Sequence, residues 1–115
     1  MTGARIFDTK TLEWTPHNRF PEISVKVLET RATHPWASMM LVQLEVGGVI
    51  QAHIHETETE TAYVLAGQAL LSHGDDETTL TAGMGASITP GTLHGIRNTG
   101  EAPLELLAIH MPPVR

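Results

Sequence analysis

The chain has no cysteine, which removes disulfides, thiolate catalysis and cysteine-type zinc sites together. Basic residues are few: 7 Lys and Arg stand against 13 Asp and Glu, for a formal charge of −6. No basic stripe exists, so nucleic acid is not an expected partner, and the acidic balance speaks for solubility rather than for a ligand. No run approaches the ~18 apolar residues that a membrane-spanning helix needs. The opening Met1-Thr2-Gly3-Ala4-Arg5-Ile6-Phe7-Asp8 lacks the apolar core of a signal peptide. The expectation is a protein with no membrane partner, cytoplasmic by default. No stretch of eleven residues holds a 3.6 period, so helix content should be low. No Ser-His-Asp arrangement is evident, and covalent catalysis has no support.

What remains is a pattern of short β-type runs. Strands are expected over residues 23–29, 39–46, 51–55, 62–66, 69–73, 78–81, 86–89, 94–98 and 104–110. Turn signals part them at Gly47-Gly48, Gly67-Gln68, Gly74-Asp75-Asp76, Gly83-Met84-Gly85, Pro90-Gly91 and Thr99-Gly100. Many short strands at intervals of roughly 8–12 residues indicate an all-β sandwich or barrel. The 115 residues suit one core and not two. Residues 1–21, with Trp14, Pro16 and His17, read as an extended arm, and residues 22–115 as the single barrel domain.

Within this pattern lies Gly47-Gly48-Val49-Ile50-Gln51-Ala52-His53-Ile54-His55, followed by Glu60, Gly67 and His94. Three imidazoles and a carboxylate form the donor set of a first-row transition metal whose coordination sphere stays partly free. On a strand, His53 and His55 would share one face about 6.6 Å apart along the chain. A bare His-x-His is expected by chance about 0.4 times at this composition; adding Gly47, Glu60 and Gly67 at their spacings cuts that to roughly 10⁻⁴. A second group follows: Gly83, five residues, Thr89-Pro90-Gly91, two residues, His94, three residues and Asn98.

At these residues the chain resembles the cupin superfamily, whose motifs read G-x5-H-x-H-x4-E-x6-G and G-x5-P-x-G-x2-H-x3-N. The first is matched throughout; in the second, Thr89 replaces the usual proline and Pro90 stands beside it. The chain is most similar to the small single-domain, conserved-barrel (cupin 2 type) members. That resemblance implies a double-stranded β-helix, or jelly-roll barrel, with His53, His55, Glu60 and His94 as metal ligands. Some small cupins use a fourth histidine one residue before this Glu; here that position is Thr59, so such a sphere is not available. An octahedral ion on this set keeps two positions for water, dioxygen or a bidentate substrate. Mn²⁺, Fe²⁺ or Ni²⁺ suits it better than Zn²⁺, which favours four ligands.

Strand alternation extends the reading to a pocket. With His53 and His55 inward, Gln51 is inward too, although it could equally bond a strand end. Glu60, Ala62, Val64 and Ala66 share one face, and His94 brings Ile96 and Asn98 inward. Met40 is expected in the core or the pocket lining. His110 is expected in the pocket, where cupins often place a residue of the last strand; the competing reading puts it on the outer surface. Glu56 and Glu58 read as solvated loop charges, and His17, His34 and His73 as surface residues. Several strands are apolar on both faces, which points to a homodimer. The function expected is that of an oxidoreductase of dioxygenase or oxidative-cleavage type on a small, partly apolar molecule, with Glu60 as ligand or general base. The alternative is a non-catalytic metal-binding or ligand-binding module.

Overall fold

The alternation that marks strands in the sequence becomes burial in the structure. In the last strand Leu104, Leu106, Ala108 and His110 are buried, while Glu105, Leu107 and Ile109 between them are half-buried. The structure is a computed structural model that describes residues 3–115. It contains ten strands: β1 (Thr15–Pro16), β2 (Ser24–Glu29), β3 (Ser38–Leu44), β4 (Val49–His53), β5 (Thr59–Ala66), β6 (Gln68–His73), β7 (Asp76–Thr81), β8 (Gly85–Ile88), β9 (His94–Asn98) and β10 (Leu104–Met111). A single 3-10 turn spans Thr9–Thr11, and no α-helix is present among the described residues. None of their helices is long and apolar enough to cross a membrane.

The strands form two antiparallel sheets, one ordered β1-β2-β3-β10-β5-β8 and the other β4-β9-β6-β7. Their inner faces enclose a core built on Ile23, Val25, Leu44, Val64, Leu104 and Leu106, each no more than 2% exposed. Burial of such a side chain contributes about 1.5–3 kcal/mol, so this core is where stability resides. This is the double-stranded β-helix expected from the motifs.

The chain passes from the second sheet to the first between His53 and Thr59. Residues 54–58 form this crossover, so the strand expected over 51–55 stops at His53. Two glycines shape the surroundings of this crossover. Gly91 sits at φ +82°, which L side chains resist, and its N–H donates to the His55 carbonyl at 2.8 Å. Gly95 lies under β4: a Cβ there would stand 2.9 Å from the Ile50 carbonyl oxygen and 3.0 Å from the Ala52 nitrogen. Asn98 is a strut rather than a pocket group. Its Nδ2 donates to the carbonyls of Leu44 and Ala102, and its Oδ1 accepts from the Gly100 N–H. On the outer side of β5, Tyr63 and Leu65 are exposed.

Candidate metal centre

Two cross-strand pairs, one from each sheet, build the site. In the second sheet His53 of β4 lies opposite His94 of β9. In the first sheet Glu60 of β5 lies opposite His110 of β10. His55, in the crossover, completes the group. One donor atom from each of His53, His55, Glu60 and His94 lies within 4.8 Å of the others. The structure therefore brings together all four residues that the motifs single out.

The histidine tautomers follow from their partners. Carbonyl oxygens only accept, so Nδ1–H of His53 donates to Gln51 at 2.8 Å and Nδ1–H of His94 donates to Thr92 at 2.9 Å. Each neutral ring then presents the lone pair of Nε2. Nε2 of His55 and of His94 are buried and have no hydrogen-bond partner. They stand 3.2 Å and 3.6 Å from Glu60 Oε1. Orphaned buried nitrogens are costly unless something else fills their valence. Second-partner bonds from Nδ1 to a backbone carbonyl are what ligating histidines require. A first-row cation about 2.1 Å from each donor sets opposite donors about 4.2 Å apart, so the residues fit one with small side-chain adjustment.

Glu60 is buried, and its Oε1 accepts from His110 Nε2–H at 2.7 Å. Burial pushes its carboxyl pKa up. The contacts from His110, His55 and His94 outweigh that and hold it well below the usual carboxylate range. His53 is pulled below its ordinary value, chiefly by burial. His94 goes the other way: burial lowers it, but the Glu60 carboxylate and the Thr92 carbonyl raise it further. The cluster is thus a place where a proton and a cation compete.

A cavity of about 270 Å³ opens over this cluster. Met40, Ala62, Ile96 and His110 line it. Gln51 does not. The β4–β9 register slips between Ile50 and His53, a bulge that gives β4 one extra residue against β9. The bulge turns Ile50 onto the cavity wall and leaves Gln51 exposed on the outer face. Val64 is also absent from the wall; it is fully buried in the core. Leu106 and Ala108 line the cavity and were readable from His110 by alternation along β10.

The rim was not readable. His17, Asn18, Arg19 and Phe20 come over the cavity from the segment before β2, and Val114 and Arg115 reach it after β10. His17 is therefore a rim residue, not a free surface histidine. Its Nδ1 accepts from the N–H groups of Arg19 and Phe20. Burial, then the nearby Arg115, His110, His53 and Arg19 charges, lowers its pKa from 6.5 to about 4. The folded state refuses a proton that the unfolded chain takes up, so His17 destabilises the fold as pH drops from 6.5 towards 4. His17→Asn, whose Oδ1 can accept the same amides, should flatten the stability curve over that window by about 1–2 kcal/mol, a figure reduced for partial solvent screening. Urea melts at pH 7 and 4.5 measure this, and parallel curves for the two proteins would refute it.

Comparisons with known proteins place the fold in a family. The family model described as Cupin domain (Cupin_2) matches residues 40–110, which hold His53, His55, Glu60 and His94. A Thermotoga maritima protein named oxalate-binding protein is 31% identical over 84 residues, covering 72% of this chain and 69% of that one. An uncharacterized protein of Methanocaldococcus jannaschii is 34% identical over 68 residues, 59% of this chain; the match spans only 54% of that relative's length. Among solved structures, a protein described as a predicted oxalate decarboxylase from Thermotoga maritima superposes with a TM-score of 0.84. It is 25% identical, and the match covers 94% of this chain and 99% of that one. Motifs, sheet order and family match together establish that the chain belongs to the cupin superfamily as a Cupin_2 domain.

Proposed function

We propose that His53, His55, Glu60 and His94 hold one divalent transition metal, and that the chain is a metal-dependent oxidoreductase of dioxygenase or oxidative-cleavage type. Its substrate in this reading is a small, partly apolar molecule that enters the 270 Å³ cavity. One observation carries the reading: four donor atoms converge within 4.8 Å, two of them buried nitrogens without any hydrogen-bond partner. When bound, the metal supplies Lewis acidity towards an enol or carbonyl oxygen or, if redox-active, a place for dioxygen beside the substrate. Mn²⁺, Fe²⁺ and Ni²⁺ suit a mixed imidazole and carboxylate set that keeps positions open; Zn²⁺ suits it less.

The protein's own residues then have distinct tasks. His110 fixes the Glu60 carboxylate through the 2.7 Å bond. The contacts that keep Glu60 ionised also make it a weak proton acceptor, so its part in this proposal is that of ligand rather than general base. Met40, Ile50, Ala62, Ile96, Leu106 and Ala108 form an apolar wall that keeps bulk water off the reacting end.

The second reading, a non-catalytic binding module, draws support from the Thermotoga maritima relative named for oxalate binding. Metal analysis of protein purified without an affinity tag, then O₂ uptake against a panel of enols and phenols with Mn²⁺, Fe²⁺ or Ni²⁺, separates the two. Turnover that a chelator abolishes and the right metal restores supports the enzyme. Ligand binding without turnover across the panel replaces it with the module.

A further inference from the structure

We infer that the mouth of the cavity is a guanidinium-lined subsite for a carboxylate, which selects small acids whose other end reaches the His/Glu cluster. The inference rests on the reading of that cluster as a metal site that anchors the ligand.

Arg19, from the segment before β2, and Arg115, from the segment after β10, both line the cavity. Arg115 is held in place: its carbonyl accepts from the Arg31 N–H at 2.8 Å, and the N–H of Val114 beside it donates to the buried Ser38 hydroxyl at 3.0 Å. Its guanidinium donates to Asn18 Oδ1 at 3.2 Å, which joins the C-terminal segment to the loop that carries Arg19. The Arg19 guanidinium lies 5.4 Å from the Phe20 ring centroid, and that ring stands 5.3 Å from the His53 ring. A single aromatic ring thus separates this charge from the cluster.

Neither guanidinium has a carboxylate within 4 Å among the described residues, although the chain has 13 acidic residues; Arg5, by contrast, pairs with Glu29 at 3.2 Å. Burial also pulls the Arg115 guanidinium below its ordinary value, a sign of desolvation without a counter-charge. Two carboxylates also face the cavity. Glu60 is engaged by three histidines at the floor, and Glu58, which accepts from the Thr57 N–H at 3.2 Å, lies beyond 4 Å of either guanidinium. His17 is neutral near pH 7. Between rim and floor the walls are apolar. A water occupies about 30 Å³ of liquid, so a cavity of about 270 Å³ admits a molecule of roughly ten heavy atoms. A five- or six-carbon acid with a second oxygen function fits that volume, and planar guanidinium forks match its carboxylate.

The test is calorimetric titration of the Mn²⁺-loaded protein with 2-oxoglutarate, with 2-oxopentanoate and with oxalate. The two oxo acids share a head and chain length and differ only in the tail carboxylate. 2-Oxoglutarate should bind about tenfold or more tightly than 2-oxopentanoate, in line with a charge-assisted hydrogen bond. Arg19→Gln and Arg115→Gln should each narrow that gap several-fold, and the double variant should close it. Metal content should stay constant, and Arg115→Lys, which keeps charge but loses the fork, should fall between. Equal affinities in the unmodified protein, or a gap that survives both substitutions, would overturn the inference while oxalate binding leaves the metal reading standing. Inorganic phosphate binding more tightly than 2-oxoglutarate would overturn the carboxylate assignment. Absence of metal from the loaded protein would overturn the cluster reading, and the rim inference with it.

Discussion

The His53→Ala/His55→Ala double variant is expected to purify folded and metal-free. Both rings are only half-buried and lie at the end of β4 and in the crossover, away from the core of Ile23, Val25, Leu44 and Leu104. Their loss therefore removes little packing. It also removes one buried nitrogen that lacks a partner, which offsets part of the cost. Metal affinity should respond far more strongly. Changes to groups that merely support a ligand cost about 10–100-fold, and removal of two of four donors should exceed that by a wide margin. Metal content by mass spectrometry and a thermal melt, run on the same preparation, check both halves. A double variant that retains full metal occupancy would end the assignment. Glu60→Gln should weaken binding less, because an amide oxygen can still coordinate.

Ala62→Phe should abolish small-molecule binding, and any turnover, while metal content stays near that of the unmodified protein. Ala62 is 1% exposed, lies opposite Ala108 across the β5–β10 ladder and sits two residues beyond Glu60 on the same face. The benzyl group has one direction to go, into the cavity, because the outer side of β5 belongs to Thr61, Tyr63 and Leu65. Overpacking of this kind costs about 1–3 kcal/mol, and filling void space recovers part of it, so the variant should fold. Tyr63→Ser, on the exposed outer face, is the control and should leave ligand binding intact. Oxalate titration reads both variants. Undiminished binding in Ala62→Phe would show that ligands do not use this cavity.

The reach of the sequence can be judged residue by residue. Period-two alternation made the strands legible, because one buried face demands it: Leu104, Leu106, Ala108 and His110 follow it without a break. The spacing of His53, His55, Glu60 and His94 was legible for a related reason. Crossing from one sheet to the other takes a set number of residues, so a motif can encode a site that spans both. Alternation failed at Gln51 because a bulge in β4 adds a residue, and a shift of one position moves every later side chain to the other face. Nothing local in Gln51-Ala52 announces that bulge; the close approach of β4 to Gly95 accompanies it, and that is a fact of the sheet.

The strand pattern, the all-β class and the identity of the four convergent donors were therefore determined by the sequence alone, since each depends on local period and spacing. Tertiary structure decided the pairing of Glu60 with His110, the exchange of Gln51 for Ile50 on the wall, and the gathering of His17, Arg19 and Arg115 at the rim. The Glu60–His110 and Asn18–Arg115 contacts join residues 50 and 97 positions apart through antiparallel register and chain return, and neither leaves a trace in the order of the residues themselves.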